Sequence, residues 1–216
     1  MRLGVLASGS GSNLQAILDG CSAGRIPAQV AAVICNVEGA RALERAKAAG
    51  VPAILLPHRG FASREDYDRK LSATLQGHGV ELVCLAGFMR LITPVLLRDY
   101  ENKILNIHPS LLPAFPGLHA VRQALAAGVR VSGCTVHVVD AGTDSGPILI
   151  QAAVPVLDGD SEETLAARIL LQEHRCYARA LTLWAQGRVH LDGRKVRIDG
   201  PAGSGARTLS SPELSD

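Results

Sequence analysis

Short apolar runs alternate with stretches of helical spacing along almost the whole chain. Runs bounded by Gly, Pro, Asn or Asp predict strands at 3–7, 30–36, 52–56, 82–87, 103–107, 134–139 and 147–154. Apolar positions three and four apart predict helices at 13–19, 40–49, 63–76, 94–100, 118–127 and 162–186. Strand and helix in alternation imply an α/β fold: a Rossmann-like, mostly parallel sheet with helices on both faces. The long last helix has the clearest boundaries, with Asp160 ahead of it, Glu163 three residues on, and Gly187 after its end. Leu165, Ile169, Gln172, Cys176, Ala180 and Leu183 are expected to form its core-facing edge. Beyond it, RVHLDGRKVRI predicts a terminal β-hairpin turning at Asp192 and Gly193.

The 216 residues, 47% of them hydrophobic and 19% charged, suffice for one sizeable core, so a single domain over 1–200 is expected. From Pro201 the sequence PAGSGARTLSSPELSD has almost nothing to bury and is expected to be a disordered tail over 201–216. Aromatic residues make up 3%, so the core must be aliphatic. A net charge of +2 from 22 basic and 20 acidic residues, without a basic run, argues against a nucleic-acid partner. No stretch of 18 apolar residues and no secretory leader occur, so no membrane partner and a cytoplasmic location are expected. Five cysteines lack a C-x-x-C pair and read as reduced core residues, and seven histidines show no ligand spacing, so no metal is expected.

The first strand ends in ASGSGSNLQAIL, a glycine-rich loop leading into a helix, where unpaired backbone N–H groups favour an anion. The sixth-position glycine of a dinucleotide fingerprint is missing, since Leu14 follows Asn13, and no lysine completes a P-loop. Two readings remain: a tight turn with Ser12 as N-cap, or a cradle for a phosphate monoester.

In ILNIHPSLLPAFPG the apolar strand carries Asn106 and runs into His108. Residues two apart on a strand share a face, so the amide and the imidazole can act on one atom. They stand at the carboxyl end of a strand, where ligands of open parallel sheets collect, and Pro109 ends the ladder. A histidine in such a place needs a group to fix its tautomer, and the loop VVDAGTDSGP offers Asp140 or Asp144. Ser110 lies nearby, but no G-x-S-x-G elbow surrounds it. An amide donor, a histidine and a carboxylate without a nucleophile suit direct attack of an amine on a carbonyl, with Asn106 and protonated His108 stabilising the oxyanion.

SGSGSNLQAI, LAGFMRLI, ILNIHPSLLPAFPGLHA, GCTVHVVDAGTDSGPI and GDSEETLAARI together resemble the phosphoribosylglycinamide formyltransferases, folate-dependent enzymes of purine biosynthesis, from about residue 3 to 187. The resemblance implies transfer of a formyl group from 10-formyltetrahydrofolate to the amine of 5-phosphoribosylglycinamide, in a monomer or homodimer. It implies Asn106, His108 and Asp144 as the catalytic set, which selects Asp144 over Asp140. Gly11, Ser12 and Asn13 would hold the substrate phosphate and Glu173 its ribose. Arg64, Met89, Arg90, Leu91, Ile92, Asn106 and Asp140, with the rest of the loop 140–144, would bind the folate. The N-terminal half would thus serve the phosphate substrate, and the C-terminal half folate and catalysis. Leu170 stands where members of the family more often carry a polar side chain near the phosphate, which removes one expected contact.

Within the wider superfamily, a deformylase is expected to carry an additional N-terminal domain, and an enzyme formylating charged tRNA a C-terminal domain and a basic surface. A phosphate-ligand sensor without chemistry is the remaining alternative, and such a module has no use for an oxyanion-stabilising set.

Overall fold

The computed structural model describes residues 1–200, so the tail expected at 201–216 lies outside the described residues. The chain runs β1 (Arg2–Ala7), α1 (Ser12–Ser22), β2 (Gln29–Cys35), α2 (Arg41–Ala48), β3 (Ala53–Leu55), α3 (Arg64–Gly77), β4 (Leu82–Leu85) and α4 (Pro94–Asp99). It continues through β5 (Ile104–His108), α5 (Ala120–Ala126), β6 (Val131–Val138), β7 (Ile148–Pro155), α6 (Glu162–Ala185) and the hairpin β8 (Val189–Asp192) and β9 (Lys195–Ile198). Every expected element is present, with ends displaced by a few residues.

Seven strands form one sheet in the order β3-β2-β1-β4-β5-β6-β7. The first five are parallel, while β6 runs antiparallel to β5 and β7 antiparallel to β6. The strand order reverses between β1 and β4, so their carboxyl ends border a crevice of the kind that receives ligands in such sheets. The main-chain N–H of Ser8 donates to Gly87 O at 3.0 Å, tying the two loops together there.

Each face of the sheet is covered. Leu3, Val5, Leu105, Ile107, Val136 and Val138 pack with α1, α2, α5 and α6, whereas Leu6, Ile34, Val83 and Ile104 pack with α3 and α4. The alternation along β5 therefore turns Leu105 and Ile107 toward α6 and leaves Asn106 and His108 on the opposite face. Tyr177 of α6, wholly buried, directs its hydroxyl at Leu85 O (3.1 Å) and Leu105 O (3.0 Å) and so pins the helix across β4 and β5.

Three local expectations change. β5 extends to His108, because His108 still pairs with Thr135 of β6 before Pro109 ends the strand. The long helix is capped by Ser161 with Thr164 in a reciprocal box, while Asp160 is taken by a two-pronged contact with Arg168. On that helix Glu173, not Gln172, is buried, because the stripe follows a slightly different angle once Tyr177 is drawn beneath the sheet. Among the described residues no helix is long and apolar enough to cross a membrane.

Candidate active site

Gly11 is the N-cap of α1, and Ser12 is the first helical residue and not the cap. Gly11 adopts φ 70, and a β-carbon there would lie 3.0 Å from Ala42, so both the turn and its contact with α2 require glycine. The first N–H groups of α1 face no intrahelical acceptor and no acidic side chain occupies the first turn. Residues 8–13 together with Ala86, Gly87 and Met89 line a cleft of about 200 Å³. That combination of donors and space fits a phosphate.

Asn13 and Glu173, 160 positions apart, meet beside this cleft: Asn13 Nδ2 donates to Glu173 Oε2 at 2.7 Å, and both residues are buried. Asn13 Oδ1 is also buried and has no partner, an acceptor that a ligand hydroxyl or amine would satisfy. Burial pushes the Glu173 carboxyl up, and the Asn13 amide offsets only part of this. Leu170, one turn earlier, is half-buried and contributes no polar group.

The segment after β4 forms the next side of the crevice. The N–H of Met89 donates to Ser8 Oγ at 2.9 Å, and Ser8 in turn donates to Asn36 at 2.6 Å. Met89 and Leu91 are exposed apolar residues, Ile92 packs on the α3–α4 side, and Arg64 at the start of α3 donates to Leu91 O at 3.1 Å. The Arg90 guanidinium lies over the Tyr67 ring, 4.5 Å from its centroid, and its Nε is buried without an acceptor. An apolar ledge with a fixed cation is suited to a flat ring system carrying a carboxylate.

Asn106, His108 and Asp144 come together at the end of β5. Asp144 Oδ2 lies 3.3 Å from His108 Nδ1 and accepts the Gly117 N–H at 2.7 Å, while Oδ1 accepts Asn106 Nδ2 at 3.4 Å. His108 Nε2 sits 2.8 Å from Phe115 O. A carbonyl can only accept, so Nε2 carries a proton, and Nδ1 is the ring nitrogen turned to the carboxylate. Burial pushes the Asp144 carboxyl up, but the Gly117 N–H and the His108 imidazole outweigh it and hold it below the usual carboxylate range. Asp144 adopts φ 50, a conformation that a short Asp tolerates. Asp140 turns into its own loop, accepting from Gly142 N (3.0 Å) and Ser145 Oγ (2.7 Å). Ser110 is wholly buried, and its hydroxyl donates to Ala114 O at 2.5 Å, so it is no accessible nucleophile.

The pattern of the sequence did not single out His137, which faces Asn106 across β5 and β6. Its Nδ1 lies 3.1 Å from Val138 O and so carries the proton, leaving Nε2 to accept Asn106 Nδ2 at 3.1 Å. At 3.6 Å, His137 Nε2 is too far from Asp144 for a good hydrogen bond, and Asn106 is the nearer partner of both. The signal was present in CTVHVV, where Thr135 and His137 are the polar members of an apolar alternation.

Residues 1–181 match the formyl transferase family. The chain is 44% identical to phosphoribosylglycinamide formyltransferase of Escherichia coli over 93% of its own length and 94% of the other's. It is 52% identical to the trifunctional purine biosynthetic protein adenosine-3 of Drosophila pseudoobscura over 86% of its length, spanning 14% of that longer protein. The crystal structure of glycinamide ribonucleotide transformylase 1 from Symbiobacterium toebii superposes with a TM-score of 0.91 at 58% identity, covering 92% of this chain and 93% of that one.

Proposed function

The chain belongs to the formyl transferase family, and on that premise we propose that it transfers the formyl group of 10-formyltetrahydrofolate to the amine of 5-phosphoribosylglycinamide. The observation that carries the reading is the pairing of buried His108 with half-buried Asp144 at 3.3 Å and the Asn106 amide beside them, a donor set without a nucleophile. The substrate amine attacks the formyl carbon directly, and the carbonyl oxygen becomes an oxyanion. Asn106 Nδ2 and a ring N–H of His108 stabilise that charge, and Asp144 holds the imidazole in orientation. Collapse of the tetrahedral intermediate breaks the bond to the folate nitrogen, which takes up a proton as the amine loses one.

His108 Nε2 donates a hydrogen bond to Phe115 O. The transferring oxygen therefore competes for a donor that is already aligned, instead of drawing one out of water. The Gly11–Asn13 turn would take the phosphate, Glu173 the ribose hydroxyls, and Arg64, the 89–92 segment and the loop 140–144 the folate. The deep placement of Asn13 Oδ1 and the orphaned Arg90 Nε support these two ligand sides.

Spectrophotometric turnover of 10-formyltetrahydrofolate, run with and without 5-phosphoribosylglycinamide, tests the reading. Consumption that requires the ribonucleotide is expected. Consumption without it would mean that water is the acceptor, and none in either case would leave a binding protein.

A further inference from the structure

Three adjacent strands place His108, Thr135 and Gln151 in one cross-sheet row: His108 pairs with Thr135 across β5 and β6, and Thr135 with Gln151 across β6 and β7. We propose that Gln151, on the outermost strand, is a positioning residue for the transfer site, holding the segment 110–117 through Thr135 and Leu112 so that Phe115 and Gly117 reach His108 and Asp144. The proposal deepens the formyl-transfer reading and rests on it.

Every proton in the row is assigned. Gln151 Nε2 donates to Leu112 O at 2.9 Å and to Thr135 Oγ1 at 3.0 Å. The Thr135 hydroxyl, wholly buried, donates to Ser110 O at 2.6 Å and accepts the Leu112 N–H at 3.0 Å. Leu112 is thus gripped at both its N–H and its carbonyl, and Ser110 Oγ closes the turn on Ala114 O at 2.5 Å. Because Leu112 O can only accept, the Gln151 amide has one orientation.

The clamp leads directly into the active site. Phe115 O takes the His108 Nε2 proton, and Gly117 N donates to Asp144 Oδ2. Between His108 and α5 the chain has no ladder of its own to hold it. Phe115 moreover adopts φ 55, a conformation that a bulky side chain does not take unless its surroundings impose it. Thr135 and Gln151 restrain the first half of the segment, while Gln123 Nε2 holds its far end at Pro116 O (3.3 Å) and Leu118 O (2.9 Å). Gln151 touches no reacting group. The titratable groups that face Asp144 are His108 from β5 and His137 from β6, and the clamp governs the first through Phe115 and the carboxylate itself through Gly117.

The test uses the full chain with Gln151→Leu, Thr135→Val and Thr135→Ser. For Gln151→Leu and Thr135→Val, kcat is expected to fall roughly 10- to 100-fold, as for a misplaced catalytic group, with KM for both substrates within about 2-fold. The acid limb of kcat should move to higher pH, because Asp144 loses the Gly117 N–H that helps to lower it. In the substrate-free protein the Gly117 amide and the His108 Nε2–H resonances should shift upfield. Thr135→Ser retains the hydroxyl and should behave as wild type. A Gln151→Leu protein with unchanged acid limb and unchanged resonances overturns the proposal, as does a change confined to thermal stability. Should the wild-type protein transfer no formyl group, the functional reading fails, and the resonances still decide the clamp.

Discussion

Asn106 Nδ2 lies 3.1 Å from His137 Nε2, its partner across β5 and β6, and 3.4 Å from Asp144 Oδ1. A carboxylate cannot face the amide oxygen without repulsion, so these two acceptors fix which way the Asn106 amide points. His137 is in turn fixed by Val138 O, a main-chain group of β6. The donor is therefore held in place, and an oxyanion takes it by displacing the longer, 3.4 Å contact to Asp144.

Asn106→Ala should lower kcat by on the order of 10² to 10³, the loss seen when one oxyanion donor is removed, with little change in KM for the ribonucleotide. Steady-state kinetics at saturating 10-formyltetrahydrofolate reads this directly. Turnover within about 2-fold of wild type would sink the oxyanion assignment.

Asp144→Asn should reduce kcat and also alter stability on the acid side. The folded-state carboxyl lies below its ordinary value of about 3.9, so its contribution is complete above that pH and lost as pH falls through the lowered folded value. Removing the carboxylate removes this part of the decline. Urea unfolding from pH 7 down to pH 3 should thus give a shallower loss for the variant, and parallel curves would place the carboxyl outside the His108 pair.

The sheet was legible because buried strands and amphipathic helices leave different periods in the sequence, and both recur without interruption from Leu3 to Val154. Strand direction was less so, although the loop from Val139 to Pro147 is too short for a parallel crossover and already implied the antiparallel β6–β7 pair. Asn106 and His108 stood out as polar residues on an apolar strand, and Asp144 could not be separated from Asp140 by spacing alone. The backbone settled their geometry: Asp140 closes its own turn, whereas Asp144, at φ 50, projects to His108. His137 and Gln151 carry no comparable mark in the sequence, for one reason. Their importance lies in register across the sheet, and register depends on pairings that local pattern does not contain.

Arg90→Lys tests the folate side. A lysine keeps the charge but loses the planar guanidinium that lies over Tyr67 and the buried Nε donor. KM for 10-formyltetrahydrofolate should rise by about 10-fold, the equivalent of roughly 1.4 kcal/mol, while KM for the ribonucleotide stays constant. Equal increases in both would show that Arg90 supports the whole crevice and not one ligand.

Glu173→Gln separates binding from stability. Burial raises the Glu173 carboxyl, with the Asn13 amide opposing, so the folded protein holds this proton more tightly than the unfolded chain does. The stability linked to that proton is complete below the unfolded value of about 4.3 and is lost as pH rises through the higher folded value. Glutamine keeps an oxygen for Asn13 Nδ2 and carries no charge to bury, so the variant should lose this pH-dependent decline and unfold at an equal or higher temperature than wild type at pH 7. KM for 5-phosphoribosylglycinamide should nevertheless increase, because a carboxylate accepts from ribose hydroxyls more strongly than an amide oxygen does. A variant that is destabilised at pH 7, or one that binds the ribonucleotide as well as wild type, would show that Glu173 serves the packing of α1 against α6 and not the substrate.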